Sequence, residues 1–291
     1  MSIRPPGDDQ PPVRHRSLGR FAGGSLIQLL LIGYALLVVY PLLIMVASSL
    51  KTTGEIFEHP LGLIPESIRW ANYADAWNQA NFGTYFRNSL FVCVVSVVMI
   101  LFFGSMAAYV LARFSFPGNR LIYLLFLAGF MIPVRLAIVP LFIMMRDLRL
   151  LDTLWSLILV YIAAGMPFTI FLMVNFFRHI PRDLEDAAVL DGAGPFQVYY
   201  QIMLPLVRPA LATVGLFHFL NVWNDFFFPL IFIRSENLRT VPLGVSTFFG
   251  EYSNDWALLF AALSISIVPV IIVYLLASKQ FIAGLTSGAI K

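Results

Sequence analysis

The feature that most constrains this chain is a set of six long apolar runs, at about 25–49, 86–112, 120–143, 153–177, 206–233 and 257–281. At about 1.5 Å of rise per residue, each run coiled as a helix can cross a hydrocarbon core of about 30 Å, some with tilt. Lipid offers no water to satisfy backbone amides and carbonyls, so runs of this length have to be helical. The apolar–polar alternation of a barrel strand is absent. Composition agrees: 59% of residues are hydrophobic and 12% charged, half the charged share of about 25% in soluble domains. The expected fold class is all-α integral membrane protein with six transmembrane helices.

Between and around the runs, charge sets orientation. Arg4, Arg14, Arg16, Arg20, Arg113, Arg120, Arg178, Arg182, Arg208, Lys279 and Lys291 fall on one side, and Lys51, Arg69, Arg146, Arg149, Arg234 and Arg239 on the other. The richer side is expected to be cytoplasmic, with both termini on it. Residues 1–24, rich in proline, glycine and arginine, read as a flexible cytoplasmic N-terminal tail. The expected membrane domain is 25–281, and 282–291 a cytoplasmic C-terminal tail. The run at 25–49 is too long for a signal-peptide core and lacks a small-residue cleavage site. Trp70, Trp77, Trp155 and Trp256 fall near the expected outer ends of runs or in the expected outer loops, where aromatic rings favour the interface. The net charge of +3 gives no footprint for nucleic acid. One cysteine, Cys93, lies within an apolar run and excludes an intramolecular disulfide. His15, His59, His179 and His218 have no metal-ligand spacing, so no metal site is expected.

The loop 178–208, RHIPRDLEDAAVLDGAGPFQVYYQIMLPLVR, does not belong in lipid. Pro181 suits a first helical position. Asp183, Glu185 and Asp186 then occupy a first turn, where carboxylates complement the helix dipole. Leu184, Ala187, Ala188 and Asp191 share a helical face, and Gly192 suits the helix end. Pro195 starts a second short helix, with Phe196, Tyr199, Tyr200 and Met203 on one side, and Pro205 and Pro209 restart the chain. From these residues alone, two readings stand: a hairpin packed against its own bilayer boundary, or an element that docks on a partner.

The loop resembles the "EAA" loop of bacterial ABC-importer permeases: an acidic residue and two alanines (Asp186, Ala187, Ala188), a glycine four positions on (Gly192, within Asp191-Gly192-Ala193), then Ile202-Met203-Leu204-Pro205. Asp186 stands where the family has glutamate, with Glu185 beside it, which leaves open the carboxylate that meets a partner. The stretches Ser48–Thr53, AAYVLARFSFPG (Ala107–Gly118), WNDFFFPL (Trp223–Leu230), RTVPLG (Arg239–Gly244) and GLTSGAIK (Gly284–Lys291) resemble the second permease subunit of maltose-type carbohydrate importers. That resemblance implies a type I ABC importer permease fold, multi-pass in a bacterial inner membrane, with a sugar as cargo. It implies a second permease subunit, two ATPase subunits and a periplasmic or lipid-anchored solute-binding protein as partners. It implies that Glu185, Asp186, Ala187, Ala188, Asp191, Gly192, Ala193 and Pro205 form the coupling element, and that Gly284, Gly288 and Lys291 also reach the ATPase. The chain has no GxxxxGK[ST] phosphate loop. It is therefore expected to be no enzyme and to hold no cofactor, ATP and magnesium belonging to the partner ATPase.

Polar side chains at membrane depth are costly and mark pathway candidates. Arg135, between Pro133 and Pro140, can line the outer part of a pore or reach out to headgroups. Asn221, Asn224 and Asp225, beside Trp223, can bond neighbouring helices, contact a sugar or shape a gate. Glycerol-phosphate or another polyol is an alternative cargo. A stand-alone ion-coupled transporter fits less well, because no internal repeat is visible and the loop would be idle. A membrane enzyme lacks any acid–base or nucleophile–base pair in the sequence.

Overall fold

The computed structural model describes residues 18–78, 81–247 and 255–287. Among these, the chain is helical throughout its regular elements. Helix α1 spans Leu18–Ser49; two short helices follow, α2 (Thr53–Glu58) and α3 (Ala71–Asn78). Then come α4 (Phe82–Arg113), α5 (Asn119–Met131), α6 (Ile138–Asp147) and α7 (Leu154–His179). The loop region holds α8 (Asp183–Leu190), α9 (Pro195–Gln197) and α10 (Leu204–Leu206). The chain closes with α11 (Arg208–Trp223), α12 (Phe227–Phe232), α13 (Val241–Thr247) and α14 (Trp256–Ser287). Helices α1, α4, α7 and α14 are each long and apolar enough to cross a bilayer. Two bent pairs raise the number of spans to six by length and composition.

Helix starts and stops depart from the sequence reading at the termini and in two runs. Helix α1 begins at Leu18, so 18–24 is helix where a tail was expected, and 1–17 lie outside the described residues. Likewise α14 continues through Ser287, past the expected end of the sixth span. The run at 120–143 is not one helix. Pro133 cannot donate a backbone N–H and holds Ile132 extended (φ −88°, ψ 119°). The chain turns through a 3₁₀ segment, Val134–Ala137, and α6 leaves at 86° to α5. The run at 206–233 is divided as well. Helix α11 follows the α9–α10 segment across a 76° bend and stops at Trp223, and α12 resumes at Phe227.

Helices α4 and α7 form the central pair. Small residues bring their backbones together: a side-chain carbon added to Gly104 would lie 2.5 Å from Thr169 Cγ2, and one on Gly165 2.7 Å from Ile100 Cδ1. Membrane helices gain from such closeness because lipid offers no hydrophobic drive between them. Two buried apolar clusters sit along this pair. One joins Tyr109, Phe177, Ala188, Tyr199, Met203 and Val214 at the end that carries α8. The other joins Met145, Leu157, Tyr161, Phe228 and Phe232 towards the opposite end. Helix α5 buries none of its residues, and α1 exposes apolar side chains along most of its length, the surface a membrane helix offers to lipid or to another subunit.

Loops at the end opposite α8 are tied to the bundle by satisfied polar groups. Lys51 is buried, its Nζ donating to His59 O (3.1 Å) and Gly62 O (2.7 Å). Asn72 donates to Ser49 O and Lys51 O at 2.8 and 2.9 Å. Asp152 accepts from the backbone N–H of Arg234 (2.9 Å) and Ser235 (2.8 Å) and from the Ser235 hydroxyl. The Ser235 bonds, with those from Arg234, hold the Asp152 carboxyl below the usual carboxylate range.

Candidate functional site

The hairpin at 183–206 is rooted in the bundle. Asp183, Glu185 and Asp186 fill the first turn of α8. The helix ends as Gly192 takes φ +87°, with Ala193 N donating to Ala188 O at 2.9 Å. No atom stands within 4 Å of a side chain placed on Gly192, so the left-handed backbone alone calls for glycine there. Pro195 opens α9 as expected, but Val198–Met203 winds as a π-helix.

That wider turn divides the faces that the sequence suggested. Tyr199 and Met203 are buried, whereas Phe196 and Tyr200 point out. An α-helix would have kept all four together; the π turn, with more residues per turn, rotates them apart. In α8, Ala188 is buried against the bundle while Leu184, Ala187 and Asp191 are exposed. The two alanines therefore face different ways. Ala188 lets α8 approach its own bundle closely, and Ala187 is free for another surface. Ala193 is half-buried and Pro205 exposed.

The two neighbouring carboxylates also part. Glu185 Oε1 lies 2.5 Å from Arg113 Nε at the end of α4, with the side chains only 15% and 5% exposed. The contact is charge on charge, not an aligned hydrogen bond. Arg113 Nη2 donates to Ile180 O at 2.7 Å, and the Tyr109 hydroxyl donates to Glu185 Oε2 at 3.4 Å. The Tyr109 ring packs on Phe177 and Tyr199, with centroids 5.6 and 5.2 Å away, and the Tyr199 and Ser105 hydroxyls are 2.8 Å apart. Asp186 is exposed, beside the outward-facing Leu184, Val189 and Leu190, the last 88% exposed. The sequence reading counted Arg113 only for its charge, placed Tyr199 only on a face of the second short helix, and gave Tyr109 no individual role. Only their convergence in space gives them this role, although an arginine closing a long apolar run was a visible signal.

Towards the other end, the breaks in the third and fifth runs meet. Arg135, in the turn between α5 and α6, places Nη2 3.3 Å from Asp225 Oδ1, between α11 and α12. Its guanidinium also lies over the Phe227 ring, 5.5 Å from the centroid. Asp225 is buried, and its Oδ2 accepts from the Tyr161 hydroxyl (2.8 Å) and from Phe228 N (3.1 Å). The latter bond caps the new helix and accounts for the restart of the chain. Arg135 remains open, its side chain 66% exposed. Asn221 and Asn224 do not join this cluster or bond a neighbouring helix. Each donates its amide to the carbonyl four residues back, Phe217 O and Leu220 O, both at 2.8 Å, and both residues are exposed. Tyr161 was missed in the sequence, where it was one of several hydroxyls within an apolar run and nothing set it apart. Of the expected C-terminal contacts, Gly284 falls within α14. Gly288 and Lys291 lie outside the described residues.

A helical membrane bundle with a polar hairpin rooted at one end and joined helix breaks towards the other is the architecture of a membrane permease. The chain belongs to the family of binding-protein-dependent transport system inner membrane components, whose model matches residues 100–282. It is 42% identical, over 94% of its length and 90% of the relative's, to a diacetylchitobiose uptake system permease protein of Streptomyces coelicolor. It is 34% identical to a melibiose/raffinose/stachyose import permease protein of Bacillus subtilis, covering 86% of this chain and 91% of that one. Among solved structures it superposes with a TM-score of 0.80 on a chain of a bacterial ABC transporter that imports the acidic polysaccharide alginate. That match is 27% identical and covers 92% of this chain and 100% of the other.

Proposed function

We propose that this chain forms half of the membrane pathway for a sugar and that the 183–206 hairpin is the seat of a separate ATPase subunit. The observation that carries the reading is the division of labour between adjacent carboxylates. Glu185 is spent inside the chain on Arg113, which leaves Asp186, Ala187, Leu184, Val189 and Leu190 as an outward face. A partner gripping that face moves α8, and through the Glu185–Arg113 contact and the shared buried cluster it moves α4 and α7. Closure of two ATPases on ATP thereby becomes rigid-body motion of the spans, the way transporters alternate access.

The complete assembly on this reading adds a second permease subunit, a second ATPase and a solute-binding protein, the last in keeping with the family's description. ATP and magnesium sit on the ATPases. The excess of Lys and Arg on the hairpin side supports a cytoplasmic position for the hairpin end and both termini. The relatives' named cargoes are oligosaccharides, which favours a sugar over glycerol-phosphate or another polyol. Membership of a binding-protein-dependent family argues against a stand-alone ion-coupled carrier. Arg135 and Asp225 line the outer part of the pathway, with exposed Asn221 and Asn224 facing the second permease or the solute.

Transport and ATP hydrolysis measured together in proteoliposomes test the coupling assignment. Gly192→Asp, or charge reversal at both Glu185 and Asp186, is expected to lower solute moved per ATP while the protein still inserts. The left-handed backbone at Gly192 costs a side chain about 1–2 kcal/mol, so Gly192→Asn should be the mildest change there. Unaltered transport per ATP in both variants would remove the hairpin from the mechanism.

A further inference from the structure

We infer that the chain carries a discrete binding site for an anionic phospholipid at the root of the hairpin. A cavity of about 720 Å³ lies between the end of α4, the turn 114–118, the start of α5 and the end of α7. Four arginines line it: Arg113, Arg120, Arg178 and Arg182. Arg113 forms its floor and is neutralised by Glu185. The other three are exposed, and among the described residues none has a carboxylate within ion-pair distance. Arg178 is held in place by the Tyr123 ring, its Cζ 5.4 Å from the centroid. The turn itself is fixed: Gly118 is at φ +87°, and Asn119 Nδ2 donates to Phe114 O at 2.6 Å.

Three unpaired guanidiniums around one cavity repel each other, and an anion between them relieves that repulsion. Basic pockets between membrane helices take phosphate headgroups for this reason, and guanidinium is suited to bidentate phosphate contact. The cavity's remaining wall selects a lipid over a free anion. Leu121 and Leu124 line it, both exposed, and the outward apolar surface continues along α5 through Leu125. A phosphodiester seated among Arg120, Arg178 and Arg182 leaves its acyl chains along that helix. At the opposite end Arg146 is paired with Asp147. Occupancy also bears on coupling, since Arg182 immediately precedes α8 and Arg113 holds Glu185.

Native mass spectrometry of the delipidated importer complex, titrated with phosphatidylglycerol, tests the site without any transport readout, so its failure is separate from failure of the coupling assignment. Wild type should hold phosphatidylglycerol in preference to phosphatidylcholine. Arg120→Gln with Arg178→Gln should weaken the tightest adduct about 30-fold, near fivefold for each arginine. Arg146→Gln with Arg149→Gln, which removes the same formal charge from the other end, should leave it unchanged. Arg120→Gln alone, a change at an exposed side chain, should show the fivefold step if the double variant fails to assemble. Equal binding by wild type and the Arg120 and Arg178 variants overturns the site. So does equal loss in the Arg146 and Arg149 control, or displacement of the lipid by inorganic phosphate at matched concentration.

Discussion

Among the described residues, two arginine–carboxylate contacts join distant segments, one towards each end, and they are built in opposite ways. At the hairpin, the arginine is the buried partner: Arg113 is 5% exposed and 2.5 Å from Glu185. Towards the other end the arginine is open: Arg135 is 66% exposed and 3.3 Å from Asp225, which is itself 6% exposed. Remove Arg135 and Asp225 keeps the Tyr161 hydroxyl and Phe228 N. Remove Arg113 and Glu185 keeps only a 3.4 Å contact from Tyr109. On the proposed reading, the first contact is a joint that has to hold while force passes through it. The second is one whose cationic half can move away at little cost, which suits a pathway that opens and closes.

That contrast predicts a ranking of effects. Arg113→Ala should be the most damaging, about 3 kcal/mol or more in thermal or denaturant unfolding, because it strands a mostly buried carboxylate. Arg113→Ala combined with Glu185→Gln should recover part of the loss; no recovery would mean that the two side chains act independently. Asp225→Ala comes next, at about 1–3 kcal/mol, since the buried Tyr161 hydroxyl loses its acceptor and α12 its cap. Arg135→Gln should cost under about 1 kcal/mol in stability, as for exposed ion pairs, while altering the dependence of transport rate on solute concentration. An Arg135→Gln protein as unstable as Asp225→Ala would erase the distinction between the two ends.

The smallest effect belongs to the outer loop joint at Asp152. Its carboxyl is held below the ordinary 3.8 by Ser235 and Arg234. A folded-state value lower than the unfolded one means stabilisation that is present above about pH 4 and lost as pH falls through the folded value. The gap in stability between wild type and Asp152→Asn should therefore be full at neutral pH and close below pH 4. A gap that persists unchanged in acid would show that the carboxylate is not its source.

Much of this was legible in the residues. Six apolar runs could only be helices, and the acidic first turn, Gly192 and Pro195 marked the hairpin's start, turn and restart. Pro133 marked a break, although the 86° angle depends on packing. What could not be read was which side of each short helix faces home. Helical spacing put Ala187 with Ala188 and Phe196 with Tyr199, yet a bundle contact on one side and a π turn on the other separated both pairs. The choice between Glu185 and Asp186 needed Arg113, distant in sequence, to arrive beside one of them. The pairing of Arg135 with Asp225 likewise depends on two helix breaks meeting, and no local pattern encodes that.

The central claim is that the outward face of α8 is where ATP-driven force enters, and cysteine accessibility tests it directly. The native Cys93 is buried, so a single new thiol can be followed. Leu190→Cys, at an 88% exposed position, should react readily with a maleimide in the permease alone and be protected once the ATPase subunits are bound. Ala188→Cys, facing the bundle, should react slowly in both. Equal labelling at position 190 with and without the ATPase would contradict the account.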